Sequence, residues 1–334
     1  MKEEYIARDD RYEGVTYRRA GRSGLLLPPL SLGFWHNFGT VGTLENMRQM
    51  MRTAFDHGIT SFDLANNYGP PYGEAEKNCG RILAMDFAPY RDELIITSKA
   101  GYDMWPGPYG NWGSRKYLIA SADQSLKRLG LDYVDIFYHH RPDPNTPLEE
   151  TMDALLQIVQ SGKAIYAGIS NYNKEQTQAA VKYAKKIHLP LVVNQKRMSL
   201  LDQKTRREGT VEFCRKNGPG LVIFSPLAQG LLTGKYLKGV PEDSRVARDS
   251  RYLHRDDLTE EKRCVITALA QVAKERGQTL TEMSLAFLLH EPAVSSVIIG
   301  ASSPSQITEN LKALENTDFS EEELNKIYEI TKGY

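Results

Sequence analysis

The chain alternates between short runs rich in β-branched residues and longer stretches with helical apolar spacing, and this alternation constrains its fold more than any other feature. Eight runs read as buried strands: Leu30 to Gly33, Ser61 to Leu64, Leu94 to Ser98, Val134 to Tyr138, Ile165 to Ile169, Leu191 to Asn194, Leu221 to Phe224 and Val297 to Ile299. Helical spacing covers Leu44 to Asp56, Glu74 to Leu83, Arg115 to Leu129, Pro147 to Gln160, Lys174 to Lys186 and Gly209 to Lys216, with Asn173 as a start signal and Gly130 as a stop. A short strand followed by a helix must pair in parallel with the next strand, because the chain returns through a crossover. The expectation is therefore an α/β chain whose residues 1–334 form a single (β/α)8 (TIM) barrel domain.

Three segments exceed a minimal barrel. Residues 15–29, with Gly21 and Gly24, read as a hairpin ahead of the first strand that plugs the amino-terminal mouth. A long loop over 227–257 follows the seventh strand. Helical stretches Leu258 to Arg276 and Thr281 to His290 precede the eighth strand, and Ser305 to Leu314 and Glu321 to Thr331 follow it, making 301–334 a capping segment. The rival architecture is a doubly wound sheet with a second domain, but no GxGxxG follows the first strand.

Composition removes several function classes. Lys plus Arg total 42 and Asp plus Glu total 42, so the broad positive field that supports binding to nucleic acid or anionic membranes is missing. Any anion must be held by a local site. No apolar stretch approaches the ~20 residues that cross a bilayer, so no membrane insertion is expected. The start, MKEEYIARDDRYE, lacks the apolar core of a signal peptide. Cys79, Cys214 and Cys264 are odd in number and form no CxxC, which fits reduced thiols in a cytoplasmic protein.

Barrel chemistry sits at the carboxyl ends of the strands, and here those ends carry polar residues that a core does not need: Asp63, Lys99, His140, Ser170, Asn171 and Gln195. Tyr68 lies just beyond the second strand. A tyrosine is a poor acid or base near neutrality unless its surroundings favour the phenolate. A buried lysine beside it supplies positive charge, an aspartate fixes the lysine, and a histidine orients a substrate carbonyl. His139 and His140 together look like a metal pair, yet no HExxH or third ligand accompanies them, and no metal is expected.

The stretches SFDLANNYG (61–69), IITSKAG (95–101), YVDIFYHHRPD (133–143), AGISNY (167–172), FSPLAQGLLTGKY (224–236) and VIIGASSPSQITEN (297–310) resemble the aldo-keto reductase family, in order and over nearly the whole chain. Within it, NYGPPYGEAEKNCGRIL and KAGYDMWPGPYGNWGSRKYL are most similar to the bacterial L-glyceraldehyde-3-phosphate reductase branch, with the potassium-channel β-subunit-like branch beside it. The resemblance implies NADPH-dependent reduction of small aldehydes or ketones, with Asp63, Tyr68, Lys99 and His140 as the catalytic tetrad. The second branch implies a different class, a cofactor-binding regulatory subunit of a membrane channel. About fifteen residues before the hairpin leave little room for a channel-plugging arm.

The resemblance also implies a cofactor site. Ser170, Asn171 and Gln195 would hold the nicotinamide carboxamide, with Met198 standing where relatives stack an aromatic ring. The pyrophosphate would lie along Ser225, Pro226, Leu227, Gln229, Gly230, Leu231, Gly234 and Lys235, where the glycines permit close backbone approach. GLLTGKY is not a P-loop, because three rather than four residues lie between its glycines and no Ser or Thr follows Lys235. Gly300, Ser302, Ser303, Gln306, Glu309 and Asn310 would face the adenosine and any 2′-phosphate. Ser303 stands where relatives often carry Arg, so NADPH is expected and NADH is the alternative. Trp35, Tyr68, Trp105 and His140 are the candidate substrate contacts, and Tyr102, Tyr109 and Trp112 add aromatic surface. Arg115, Lys116 and Arg141 are candidate positive charges for a small carbonyl substrate. A homo-oligomer is compatible with all of this.

Overall fold

The computed structural model describes residues 4–235 and 259–334, so most of the loop expected over 227–257 lies outside the described residues. The strands are β1 (Arg18–Arg19), β2 (Leu26–Leu27), β3 (Leu30–Gly33), β4 (Ser61–Asp63), β5 (Ile95–Ala100), β6 (Val134–His139), β7 (Ala164–Ser170), β8 (Leu191–Arg197), β9 (Gly220–Phe224) and β10 (Val294–Ile299). β3 to β10 pair in sequence order, all parallel, and β10 closes back on β3. The eight expected strands are the eight barrel strands, and the rival sheet architecture falls.

β1 and β2 form the antiparallel hairpin ahead of the barrel, with Arg18 opposite Leu27 and Arg19 opposite Leu26. Leu27 is buried in one cluster with Ile136, Tyr138, Val193, Val222 and Ile298, so the hairpin seals the amino-terminal end of the barrel interior. A larger core lies outside the strands, where the helices lay down their apolar faces. The first five helices are α1 (Leu44–Asp56), α2 (Glu74–Ile82), α3 (Arg115–Leu129), α4 (Leu148–Gln160) and α5 (Lys174–Ile187). α1 starts where the Thr43 side chain accepts from Asn46 N, and α5 carries a full capping box between Asn173 and Gln176. α3 ends on Gly130 in the left-handed region.

Two helices precede β10, Glu260–Glu275 and Leu280–His290, and Pro304–Leu311 and Glu321–Ile330 follow it. Several bounds differ from expectation: β8, for one, runs on to Arg197 where Asn194 was the expected end. β10 begins at Val294, not Val297, because Ser295 and Ser296 interrupt its apolar run. Both hydroxyls are satisfied: Ser295 Oγ donates to Arg19 O and Ser296 Oγ pairs with Ser31 Oγ at 2.7 Å inside the barrel. After α2 the chain tightens through a π-helical turn, Leu83–Phe87, and a 3-10 turn, Ala88–Glu93. That turn directs Asp86 back toward α1.

Candidate active site

β4 and β5 are adjacent and parallel, with Asp63 opposite Thr97, which places Lys99 one pleat beyond Asp63 on the side chains' shared face. Lys99 Nζ donates to Asp63 Oδ2 at 2.6 Å and to Leu64 O at 2.7 Å. It reaches the Tyr68 hydroxyl at 3.4 Å. A fully buried ammonium is tolerable only with such partners. The other oxygen of Asp63 accepts from Thr97 Oγ1 at 3.1 Å and Gln195 Nε2 at 2.8 Å. Beneath it, Ser31, Ser61, Asp63, Thr97 and Tyr138 line a cavity of about 10 Å³, the room one water takes.

His140 follows β6. Its ring lies 5.8 Å from that of Tyr68 and 4.7 Å edge-on to Tyr102. A side chain at Gly101 would come within 2.9 Å of His140 Cβ, so glycine there allows β5 and β6 to exit side by side. The structure thus brings Asp63, Tyr68, Lys99 and His140 to one point at the carboxyl end of the barrel.

Burial in the mouth, and after it the negative charge of Asp63, hold the Tyr68 phenol well above its ordinary pKa. Burial lowers the Lys99 pKa while Asp63 opposes the shift. His140 is pushed well below its ordinary value, first by burial and then by Lys99, His139 and Arg141. A neutral imidazole results, whose Nδ1 has no hydrogen-bond partner. His139, the other half of the apparent metal pair, turns away: its Nδ1 lies 2.7 Å from Tyr172 Oη. Among the described residues no group of three His, Cys, Asp or Glu could hold a metal.

Residues suited to a nicotinamide cofactor surround this point. Asn171 takes a positive φ of 64°, and its side-chain amide donates to His140 O at 3.0 Å and Ser170 Oγ at 3.2 Å. Its N–H donates to Gln195 O, tying β7 to β8. Beyond β9 the backbone has positive φ at Ser225, Ala228, Gln229, Gly230 and Gly234, a local winding that turns successive peptide groups to one side. Pro226 and Leu231 are buried and can contribute only backbone, Leu227, Gln229 and Gly230 are half-buried, and Lys235 is exposed. At the helix Pro304–Leu311, Ser303 is the N-cap but makes no side-chain cap bond; its hydroxyl lies 2.9 Å from Ser305 Oγ. Gln306 Oε1 accepts from Ser302 N. Gly300 and Glu309 are exposed, whereas Asn310 is buried. This donor-rich, phosphate-compatible rim fits the dinucleotide that the resemblance implies.

Met198 does not fit its expected part. It is 1 % exposed and packed in the core, with no face left for a ring. The half-buried aromatic at the neighbouring strand end is Phe224, directly before Ser225. Period-2 alternation along the run into Phe224 was the available signal. The substrate contacts divide as well. Trp35 is half-buried beside His36, with ring centroids 4.4 Å apart. Trp105 packs against Tyr117 at 5.0 Å and serves the loop as much as the mouth. Arg115 points outward, to Gln157 and Asp153 on α4, and Lys116 lies over Tyr109. Arg141 alone of the three stays beside the site, its guanidinium over Trp112 at 3.7 Å and Tyr102 at 4.2 Å.

A closed parallel barrel with an Asp-Lys-Tyr-His cluster at its carboxyl end defines a class of carbonyl oxidoreductases, and comparison with known proteins agrees. The family model described as "Aldo/keto reductase family" matches residues 29–332, and the chain belongs to that family. It is 55 % identical over 326 residues to an L-glyceraldehyde 3-phosphate reductase of Escherichia coli strain K12, covering 97 % of this chain and 94 % of that protein. A putative voltage-gated potassium channel subunit beta of Schizosaccharomyces pombe is 36 % identical over 325 residues, covering 95 % of this chain and 94 % of that protein. Among solved structures, a thermostable aldo-keto reductase in complex with the inhibitor epalrestat superposes with a TM-score of 0.74 at 31 % identity, covering 94 % of this chain and 99 % of that one. The protein is an oxidoreductase acting on carbonyls, in a family that uses nicotinamide cofactors.

Proposed function

We propose that this enzyme reduces small polar aldehydes, with glyceraldehyde 3-phosphate and methylglyoxal-like compounds first in line, using NADPH and the Tyr68 hydroxyl as proton donor. The observation that carries the reading is the chain of contacts from Asp63 through Lys99 to Tyr68, facing His140. When bound, the nicotinamide supplies the hydride. The protein's part is to polarise the carbonyl and protonate its oxygen. Neutral His140 orients that oxygen, and Tyr68, protonated at neutral pH, releases its proton to it. Lys99, held charged by Asp63, lowers the cost of the phenolate left behind.

Ser170, Asn171 and Gln195 would hold the carboxamide, and Phe224 takes over the apolar platform first assigned to Met198. The turn 225–235 would receive the pyrophosphate. Ser302, Ser303 and Gln306, at a helix amino terminus, would receive the 2′-phosphate without a guanidinium, so the margin over NADH is smaller than a basic residue would give. Arg141 supports a preference for a phosphorylated substrate, as does the name of the Escherichia coli relative. The site and the absence of broad charge favour a cytoplasmic enzyme acting on small molecules over a channel-associated subunit.

The test compares kcat/KM for glyceraldehyde 3-phosphate with that for unphosphorylated glyceraldehyde, using each cofactor. A gain of tenfold or more for the phosphorylated compound with NADPH is expected. Equal values would reduce the reading to a general carbonyl reductase, and no turnover of either with tight NADPH binding would favour the regulatory alternative.

A further inference from the structure

The barrel has a second concave face that the reaction does not use. Its amino-terminal end, opposite the carboxyl-end site, carries a cavity of about 380 Å³ between the β1–β2 hairpin and the starts of β9 and β10. That volume lies in the range of small-molecule sites. Its charged lining is Arg18, Arg19, Arg22 and Arg215, with no acidic side chain among the lining residues. Such a concentration is unexpected in a chain whose charges sum to zero.

The four arginines differ in how they are satisfied. Arg215 is neutralised, donating to both carboxylate oxygens of Glu291 and to Glu212. Glu291 is shared further with Arg206 at 3.2 Å, so its charge is spent. Arg18 donates to the carbonyls of Leu289 and Glu291 at 2.8 and 3.2 Å, Arg19 to Ser23 O at 3.3 Å, and Arg22 to Lys216 O. Carbonyls fix a guanidinium in place but leave its charge intact. Arg18 is moreover half-buried, and burial lowers its pKa from the ordinary arginine value while the charge of Glu291 opposes the shift. Glu291 already serves Arg215 and Arg206, so a partly desolvated Arg18 gains from an incoming anion.

The frame that presents these groups is rigid. A Cβ at Gly21 would stand 2.6 Å from Gly220 N, and one at Gly220 would stand 2.2 Å from Ser295 Oγ. Only glycines allow the hairpin backbone to press this closely against β9. The arginines therefore project from a backbone already fixed to the barrel, which reduces the ordering cost of binding.

We infer that this cavity is a binding site for a small phosphate-bearing polyanion, recognised by the Arg18, Arg19 and Arg22 guanidinium groups. The planar fork of arginine matches phosphate oxygens in pairs. The concave, local shape of the site and the zero net charge of the whole chain favour a compact ligand over an extended nucleic acid. Such a ligand bridges the hairpin and the two strand starts, so its binding also stabilises the sealed end of the barrel.

The test is calorimetric titration of the NADPH-saturated protein with inorganic pyrophosphate at 0.15 M NaCl, saturation with cofactor keeping the carboxyl-end phosphate positions filled. One saturable site per chain is expected, with a rise in melting temperature. The double variant Arg19→Gln with Arg22→Gln should weaken it by about tenfold or more. Both side chains are exposed, so fold and basal turnover should be unchanged. Arg22→Lys keeps the charge but loses the fork, and should weaken binding as well. Absence of saturable binding to the wild-type protein, or unchanged affinity in the double variant, overturns the site. Neither result bears on carbonyl reduction, which is read separately.

Discussion

Two buried carboxylates in this barrel, Asp63 and Asp86, are both paired with cations at 2.6 Å, yet only one belongs to the proposed active site. Asp86 lies outside the barrel wall, gripped by Arg48 and Arg52 of α1 through four hydrogen bonds of 2.6 to 2.9 Å. Its side chain is fully buried, while the arginines stay 15 and 18 % exposed. Burial alone would raise its pKa, but the bonds from Arg48 and Arg52 hold it below the ordinary carboxylate value. Asp63, on the barrel axis, meets a single lysine that is wholly buried and that also touches the tyrosine hydroxyl. The cation makes the difference. Arginine is always charged and locks a carboxylate by geometry, whereas a buried lysine is a point charge whose state responds to its neighbours.

Breaking the axial pair's downstream partner should have the largest effect, and the effect should be kinetic. Tyr68→Phe keeps the ring and its packing and removes only the hydroxyl. A loss of ~10² to 10⁴ in kcat is expected with cofactor affinity preserved, measured by steady-state turnover beside fluorescence titration of NADPH. Lys99→Met should also lower kcat, though it leaves Asp63 without its cation and destabilises the fold as well. If Tyr68→Phe turns over at near wild-type rate, the comparison collapses, and His140 becomes the first suspect for the proton.

The outer cluster should fail in the opposite manner. Asp86→Ala strands two arginines, a change that costs ~3 to 5 kcal/mol when the partners are fully buried. Because Arg48 and Arg52 reach solvent at their edges, the lower end of that range is expected. Urea denaturation reads it directly, and kcat of the folded fraction should remain within twofold of wild type. A kinetic defect of tenfold or more in a well-folded Asp86→Ala protein would show that the outer cluster also sets the geometry of the mouth.

The two regions also differ in how far the sequence discloses them. The axial residues were legible because a charged or polar side chain at the end of an apolar strand has no packing reason to be there, as with Asp63 and Lys99. The outer cluster was not, since Arg48 and Arg52 sit on an amphipathic helix where charges are routine, and Asp86 lies in a π-turn that helical spacing does not reveal. The same limit explains Arg115, which opens a helix beside the mouth and turns to Asp153 on its outer side. Met198 was misplaced because position along a strand does not reveal which face closes into the core. Phe224, two strand residues beyond buried Val222, had the better parity with the mouth.

The effect that grows most gradually, and the one that separates the two regions without a mutation in either pair, is the response to acid. Around the axis, His139 and His140 are buried neutral, and burial is the leading cause that pushes His139 down to about 4 and His140 well below its ordinary value. A depressed folded pKa means the unfolded chain binds protons first, so stability is full above pH ~6.5 and falls as pH drops. For one histidine the slope is at most ~1.4 kcal/mol per pH unit until its folded pKa is reached. Asp86 is also depressed, but from a lower starting value, so its contribution survives until pH falls below ~4. Acid should therefore loosen the axial region across pH 6.5 to 4 while the outer cluster holds, and release the outer cluster only below that window. Urea denaturation at pH 7.5, 5.5 and 4.5 gives the total slope. His139→Gln should flatten it by removing one buried titrating ring, and it also breaks the contact with Tyr172 Oη, so the readout is the change in slope and not the offset in stability. An unchanged slope in that variant would mean that His139 takes up no protons on unfolding in this range, and the contrast between axis and periphery would then rest on His140 alone.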